Sequence, residues 1–331
     1  MTPDAATPAG SDAELQLGEG GNLRHLLTLK GMNKKAMIDL LDAAESFLSP
    51  PGDPPQRSNI LAGRTVGNLF FEASTRTRAS FDLAGRRLGA DVLNLDVNTS
   101  SRKKGESILD TIYTLEAMGV DFMVVRDAGA GIPAYIARHV KKHVSVLNAG
   151  EADVSHPTQG LLDVMTIRHH KPDFGGLVVA IVGDIRHSRV ARSAAQALRT
   201  LDVGELRLVS PPGMAAEDAD LGFARRVDNL DDGLRDADVV MALRIQRERI
   251  QDIEGIVDID NYTRDFGVTR ERMKLAKPDA IVMHPGPMNR GIEIEGSLAD
   301  GEQSVITEQV TNGVAIRMAV LAHIARSHGA W

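Results

Sequence analysis

The chain is 331 residues long, 43% hydrophobic and 25% charged, with a formal net charge of -7 and no cysteine. Single cores stop growing well before this length, so two domains are expected, and the composition excludes a largely disordered chain. The acidic balance argues against a general nucleic-acid or membrane surface, and the lack of thiols excludes disulfides, thiol nucleophiles and thiolate metal sites.

Residues 1–20 carry acids and no early basic or apolar run, so they read as a solvated, disordered tail rather than a secretory signal, with the cytoplasm as the expected compartment. No run approaches the ~20 apolar residues that cross a bilayer. Residues 22–48 place apolar side chains at roughly helical spacing until the prolines around Pro51 stop them. Buried strands are expected at 65–71, 91–95, 122–125 and 144–147, alternating with helical stretches. A second such series follows at 177–182, 205–209, 239–243 and 280–283. The run 307–325 reads as an amphipathic helix that ties the two halves together. This alternation predicts an α/β chain of two doubly wound parallel-sheet domains, 21–155 with a closing helix over 305–328, and 156–304. Ligands in such folds bind beyond the carboxyl ends of the strands, so the active site is expected in the interdomain cleft.

Each chemistry-bearing motif falls at an expected strand exit. In Phe70-Phe71-Glu72-Ala73-Ser74-Thr75-Arg76-Thr77-Arg78, free backbone N–H groups, hydroxyls and an arginine fork suit an anion, although an ordinary cap followed by surface arginines has the same letters. Ser100-Ser101-Arg102-Lys103-Lys104-Gly105-Glu106-Ser107 fits a solvated loop or a cationic loop that closes over an acidic substrate. Arg126 at a strand end fits a pocket or a rim ion pair. His156, in Ser155-His156-Pro157-Thr158-Gln159, fits a structural histidine or a donor to a polarised carbonyl. Arg189 in Gly183-Asp184-Ile185-Arg186-His187-Ser188-Arg189 opens a helix and could grip a carboxylate, while an exposed helix-face role suits Arg186 or Arg192 equally. Leu243-Arg244-Ile245-Gln246-Arg247 could be a solvated charge run. The prolines of His284-Pro285-Gly286-Pro287 instead fix a backbone path whose carbonyls could accept from an amine. Neither a metal-ligand constellation, a nucleophile elbow nor a dinucleotide fingerprint is present, so the expected site has no metal and no cofactor and works by orientation and cationic electrostatics.

Taken in order, these segments, together with Met283-His284-Pro285-Gly286-Pro287-Met288-Asn289-Arg290-Gly291-Ile292-Glu293-Ile294, resemble the aspartate carbamoyltransferase catalytic chains over about residues 23–325. The resemblance implies a carbamoyl-phosphate domain followed by an aspartate domain. It implies that Ser74, Thr75, Arg76 and Thr77 bind phosphate and that Thr77, Arg126 and His156 address the carbonyl oxygen, with Arg76, Thr77, Arg126 and His156 as the catalytic set. Gln159 and the backbone of Pro285 and Gly286 would orient the carbamoyl nitrogen, with Pro287 also in the carbamoyl-phosphate-binding set. Lys104, Arg189, Arg244 and Gln246 would hold the two aspartate carboxylates. Ser100 and Lys104 would reach a neighbouring subunit's site in a homotrimer, and Glu72 with Arg189 and Arg249 would form ion pairs on domain closure. The activity implied is carbamoyl transfer to L-aspartate in de novo pyrimidine synthesis, with association to dihydroorotase or regulatory chains as a further expectation. An ornithine-type enzyme is the rival within the resemblance, but its His-Cys-Leu-Pro and Ser-Met-Gly segments are absent. A non-catalytic dihydroorotase scaffold is the rival outside it.

Overall fold

The computed structural model describes residues 11–18, 20–50, 52–95, 107–216, 219–245 and 258–327. The chain opens with α1 (Asp12–Leu15), capped by a reciprocal box between Ser11 and Glu14. Residues 11–18 therefore fold onto the first domain, which departs from the solvated tail expected there. The buried Gln16 Oε1 accepts from Leu27 N at 2.7 Å and Thr28 N at 2.9 Å, tying the segment down.

The helical spacing over 22–48 yields a helix only at α2 (Lys34–Glu45), where the Asn33 side chain accepts from Lys35 N and Ala36 N. Upstream, Leu26 is extended and bridges Leu147 in parallel, with Leu26 N donating to Val146 O. Gly31 turns the chain between the two with φ +75°. Apolar residues at 23, 26, 27 and 29 satisfy a sheet edge as well as a helix face, and tertiary pairing decided between them.

The first sheet comprises β1 (Thr65–Phe70), β2 (Asp91–Leu95), β3 (Phe122–Asp127) and β4 (Ser145–Glu151), in the order β2-β1-β3-β4, all parallel. The crossovers are α3 (Thr75–Arg87), α4 (Ile108–Ala117) and α5 (Ile132–His139). The central strand β3 is buried along its whole length, as a parallel strand covered on both faces requires; β4 is buried too, because the Leu26 segment bonds its outer side, whereas the edge strand β2 is largely exposed.

After α6 (Pro157–His170) the second sheet brings β5 (Val178–Val182), α7 (Arg189–Thr200), β6 (Glu205–Val209), β7 (Arg225–Val227), α8 (Leu230–Leu234) and β8 (Val239–Ala242). α9 (Ile259–Phe266), β9 (Ile281–Met283), α10 (Gly296–Ala299) and α11 (Ile306–Ser327) complete the chain. Its order is β7-β6-β5-β8-β9, again all parallel. The edge strand β7 is an addition to the expected series, because three residues beginning Arg-Arg carry no strand pattern.

The last helix is also different from expectation. It is not amphipathic in the fold: every residue from Asn312 to Ala322 is buried. α11 packs against α2, α3 and α6 and reaches β9, while α6 touches β4 and α7. One core cluster accordingly runs from Val66 and Phe122 through Val164, Ile316 and Val320 to Val179 and Met241. A helix buried all round is the signature of an element at the centre of a chain rather than on its surface.

Candidate active site

The carboxyl ends of β1, β3, β4, β5, β8 and β9 face one cavity of about 420 Å³ between the two sheets, where a crevice of doubly wound folds is expected to bind ligands. Ser74, Thr75, Arg76, Thr77, Arg126, His156, Gln159, Arg189, Arg244, Pro285, Gly286 and Pro287 all line it. Ser100, Lys104, Gln246 and Arg249 lie outside the described residues.

The first wall is the start of α3. Ser74 is its N-cap residue, yet its side chain makes no capping bond, so the hydroxyl and the first N–H groups of a 13-residue helix remain available to a ligand. Such an end attracts anions through its unpaired N–H groups and the helix dipole. Arg76 stands over it, and burial, then the charge of Arg244, pull its guanidinium below the usual value. Gly286 closes this wall from the second domain: with φ +64°, a Cβ there would meet Arg76 Cζ at 3.4 Å. Glycine thus allows the His284-Pro285-Gly286-Pro287 loop to lie against the guanidinium.

The second wall is a shared ion pair. Glu72, following β1, accepts from Arg189 Nη1 at 2.9 Å and Nη2 at 3.0 Å, and from Arg126 Nη2 at 3.2 Å. Arg189 is the first residue of α7, whose Ser188 cap accepts from Ala191 N at 3.1 Å. Arg126 Nη1 also donates to Ala149 O at 3.1 Å, and Arg189 Nη1 to Ala152 O at 3.1 Å. Glu72 thereby holds two arginines from two domains around one point. Gly150 gives them room, since a Cβ at its φ of +119° would stand 2.8 Å from Arg126 Nη1.

His156, the N-cap residue of α6, is anchored by its backbone N–H, which donates to Ser193 Oγ at 2.8 Å. Burial above all, then Arg126, Arg317 and Arg189, hold its imidazole well below the ordinary histidine value, so it is neutral near pH 7. A neutral ring can offer one N–H without adding charge. One turn further, Gln159 Nε2 donates to Asp163 Oδ1 at 2.9 Å, and Gln309 Nε2 donates to the same oxygen at 2.8 Å.

Sequence reasoning missed Gln309, Gly313 and Arg317, which line the cavity from α11 at spacings of four, and Ser188. The available signal was the spacing: Gln309, Gly313 and Arg317 recur every fourth residue, on one face of the helix, and Arg317 is the one charged residue between Thr311 and Leu321. Arg317 is 3% exposed, donates from Nη1 to Gly313 O at 2.6 Å and lies 5.0 Å over the Phe81 ring. Burial, partly offset by the nearby Asp163 charge, draws its guanidinium down to about 9.

Two parallel-sheet α/β domains thus flank an arginine-rich cleft at their strand ends, a setting whose charge is complementary to anionic ligands. The model for the carbamoyl-P binding domain of aspartate/ornithine carbamoyltransferases matches residues 24–169, and that for their Asp/Orn binding domain matches residues 175–324. Aspartate transcarbamoylase from Trypanosoma cruzi, solved with carbamoyl aspartate and phosphate, is 30% identical with a TM-score of 0.79, over 91% of this chain and 95% of that one. Ornithine carbamoyltransferase from Thermus thermophilus is 26% identical with a TM-score of 0.79, over 91% and 98%. That from Pyrococcus furiosus is 28% identical with a TM-score of 0.78, over 90% and 96%. The chain belongs to the aspartate/ornithine carbamoyltransferase family and is a transferase. Both acceptor types occur among these neighbours.

Proposed function

We propose that the chain is an aspartate carbamoyltransferase, which transfers the carbamoyl group of carbamoyl phosphate to the amine of L-aspartate and releases N-carbamoyl-L-aspartate and phosphate in pyrimidine synthesis. The observation that carries this reading is the charge of the cleft. Among the described residues its lining holds Arg76, Arg126, Arg189, Arg244 and Arg317 against one carboxylate, Glu72, which already accepts from Arg126 and Arg189. An acceptor with two carboxylates meets complementary charge there, while the ammonium of an ornithine side chain meets repulsion.

In this reading Ser74, Thr75, Arg76 and Thr77 hold the phosphate, and Thr77, Arg126 and neutral His156 donate to the carbonyl oxygen. Gln159 and the loop at Pro285, Gly286 and Pro287 face the carbamoyl nitrogen. Arg189 and Arg244 bind aspartate, with Lys104 and Gln246 from outside the described residues. The neutral amine attacks the carbamoyl carbon, the carbon–oxygen bond to phosphate breaks, and the departing phosphate takes the amine proton. The protein thus contributes orientation and charge rather than a base. Ser100 and Lys104 act in a neighbour's site, which makes a cytoplasmic homotrimer the working unit, alone or with dihydroorotase or regulatory chains.

Purified protein supplied with carbamoyl phosphate should yield carbamoyl product from L-aspartate and none from L-ornithine. Arg76→Ala should lose it. Turnover with ornithine alone would overturn the reading, and light scattering at the mass of one chain in an active sample would overturn the trimer.

A further inference from the structure

Along the cavity floor runs a hydrogen-bond chain whose polarity is dictated by a backbone group. His284 N, a donor only, gives its hydrogen to Gln309 Oε1 at 2.9 Å. The Gln309 amide must therefore turn its NH2 the other way, where Nε2 donates to Asp163 Oδ1 at 2.8 Å. Asp163 Oδ1 is thereby an acceptor, and it takes a second hydrogen from Gln159 Nε2 at 2.9 Å. Gln159 lines the cavity, and with its NH2 committed to Asp163, its Oε1 is left for a ligand. The whole relay is buried: Asp163 is 0% exposed, His284 1%, Gln309 3% and Gln159 8%.

An oxygen turned toward the reacting group accepts hydrogen bonds and repels other acceptors. It favours an acyl group bearing N–H over a methyl or carboxylate of the same shape. The same relay ties Gln159 to the loop at Pro285, because Gln309 bonds the backbone of His284, and Gly286 N donates to His284 Nδ1 at 2.8 Å. Asp163 Oδ2 is buried without a partner, so a proton can sit there without disturbing the acceptor role of Oδ1.

We propose that Asp163 is the positioning residue for donor selection, fixing the Gln159 amide so that the site requires an N–H-bearing carbamoyl group. The inference rests on the reading above for the place of Gln159, but not on the identity of the acceptor amino acid.

The test compares binding of carbamoyl phosphate and acetyl phosphate, whose methyl replaces the NH2, by calorimetry on the full chain. The wild type should prefer carbamoyl phosphate, and Asp163→Ala should reduce that preference roughly tenfold, about one hydrogen bond, with inorganic phosphate binding little changed. Asp163→Asn, whose Oδ1 can meet the two amide NH2 groups, should keep the preference. Should Asp163→Ala fail to fold, Asp163→Ser, too short to reach both amides, is expected to lose it likewise. An unchanged preference in a folded Ala or Ser variant overturns the proposal, as does its loss in Asp163→Asn. A wild type that prefers carbamoyl phosphate but does not carbamoylate aspartate would sink the acceptor reading and leave this one standing.

Discussion

Removing Glu72 tests whether one carboxylate organises two substrate-facing arginines. In the structure it accepts three hydrogen bonds of 2.9 to 3.2 Å from Arg189 and Arg126, whose side chains are 11% and 10% exposed against 27% for Glu72. At an effective dielectric of about 20, a unit-charge pair ~4 Å apart carries about 4 kcal/mol of gross attraction. Desolvation and partial exposure reduce this to a net ~1.5–3 kcal/mol for a charged hydrogen-bonded pair. Loss of that hold on Arg189 in Glu72→Ala should lower kcat/KM for aspartate about tenfold to a hundredfold at saturating carbamoyl phosphate. Arg126 keeps its bond to Ala149 O and the start of α3 makes no side-chain bond to Glu72, so the calorimetric Kd for carbamoyl phosphate should move much less. Glu72→Gln, which keeps an acceptor and loses the charge, should fall between. Equal losses for both substrates would refute the argument. A lower KM for aspartate would refute it in another way, by showing that Glu72 competes with substrate for Arg189.

His156 should remain neutral through the range near pH 6.5 where ordinary histidines titrate, with imidazole resonances that stay in one form; protonation in that range would contradict the burial and three arginine charges around it. Gly150→Ala should cost about 1–3 kcal/mol in urea unfolding and weaken carbamoyl phosphate binding, since the left-handed φ and the 2.8 Å approach to Arg126 Nη1 both oppose a Cβ. A stable variant with full affinity would show that Arg126 can move aside freely. Burial, against the two amide bonds and the Arg317 charge, raises the Asp163 carboxyl from 3.8 to about 7. The folded chain then keeps a proton that the unfolded chain gives up above about pH 4, so this group's contribution to stability falls as pH rises from about 4 to 7 and is level beyond. Asp163→Asn should remove that slope, shrinking the wild-type difference between about pH 5 and pH 8 by on the order of 2 kcal/mol in urea.

Much of this was legible in the letters. Alternating apolar runs specify buried parallel strands because a strand covered on both faces has no polar side to show, and small or charged residues at the strand exits are where such sheets bind ligands. Ser74, Arg76, Arg126, His156 and Arg189 were each visible as residues of the right type at such an exit, though each alone also fitted a surface role. What separates the two roles is proximity between residues far apart in sequence, and only folding supplies that. Leu26 became a sheet partner rather than part of a helix because Val146 and Asn148 were there to bond it. The last helix proved buried all round from Asn312 to Ala322 because α2, α3 and α6 pack around it. Glu72 meeting Arg189 across 117 positions, and Asp163 meeting Gln309 across 146, are contacts that no local pattern encodes. Local chemistry determined which groups could act, and the burial and hydrogen-bond polarity of the assembled cleft decided which of them face one another.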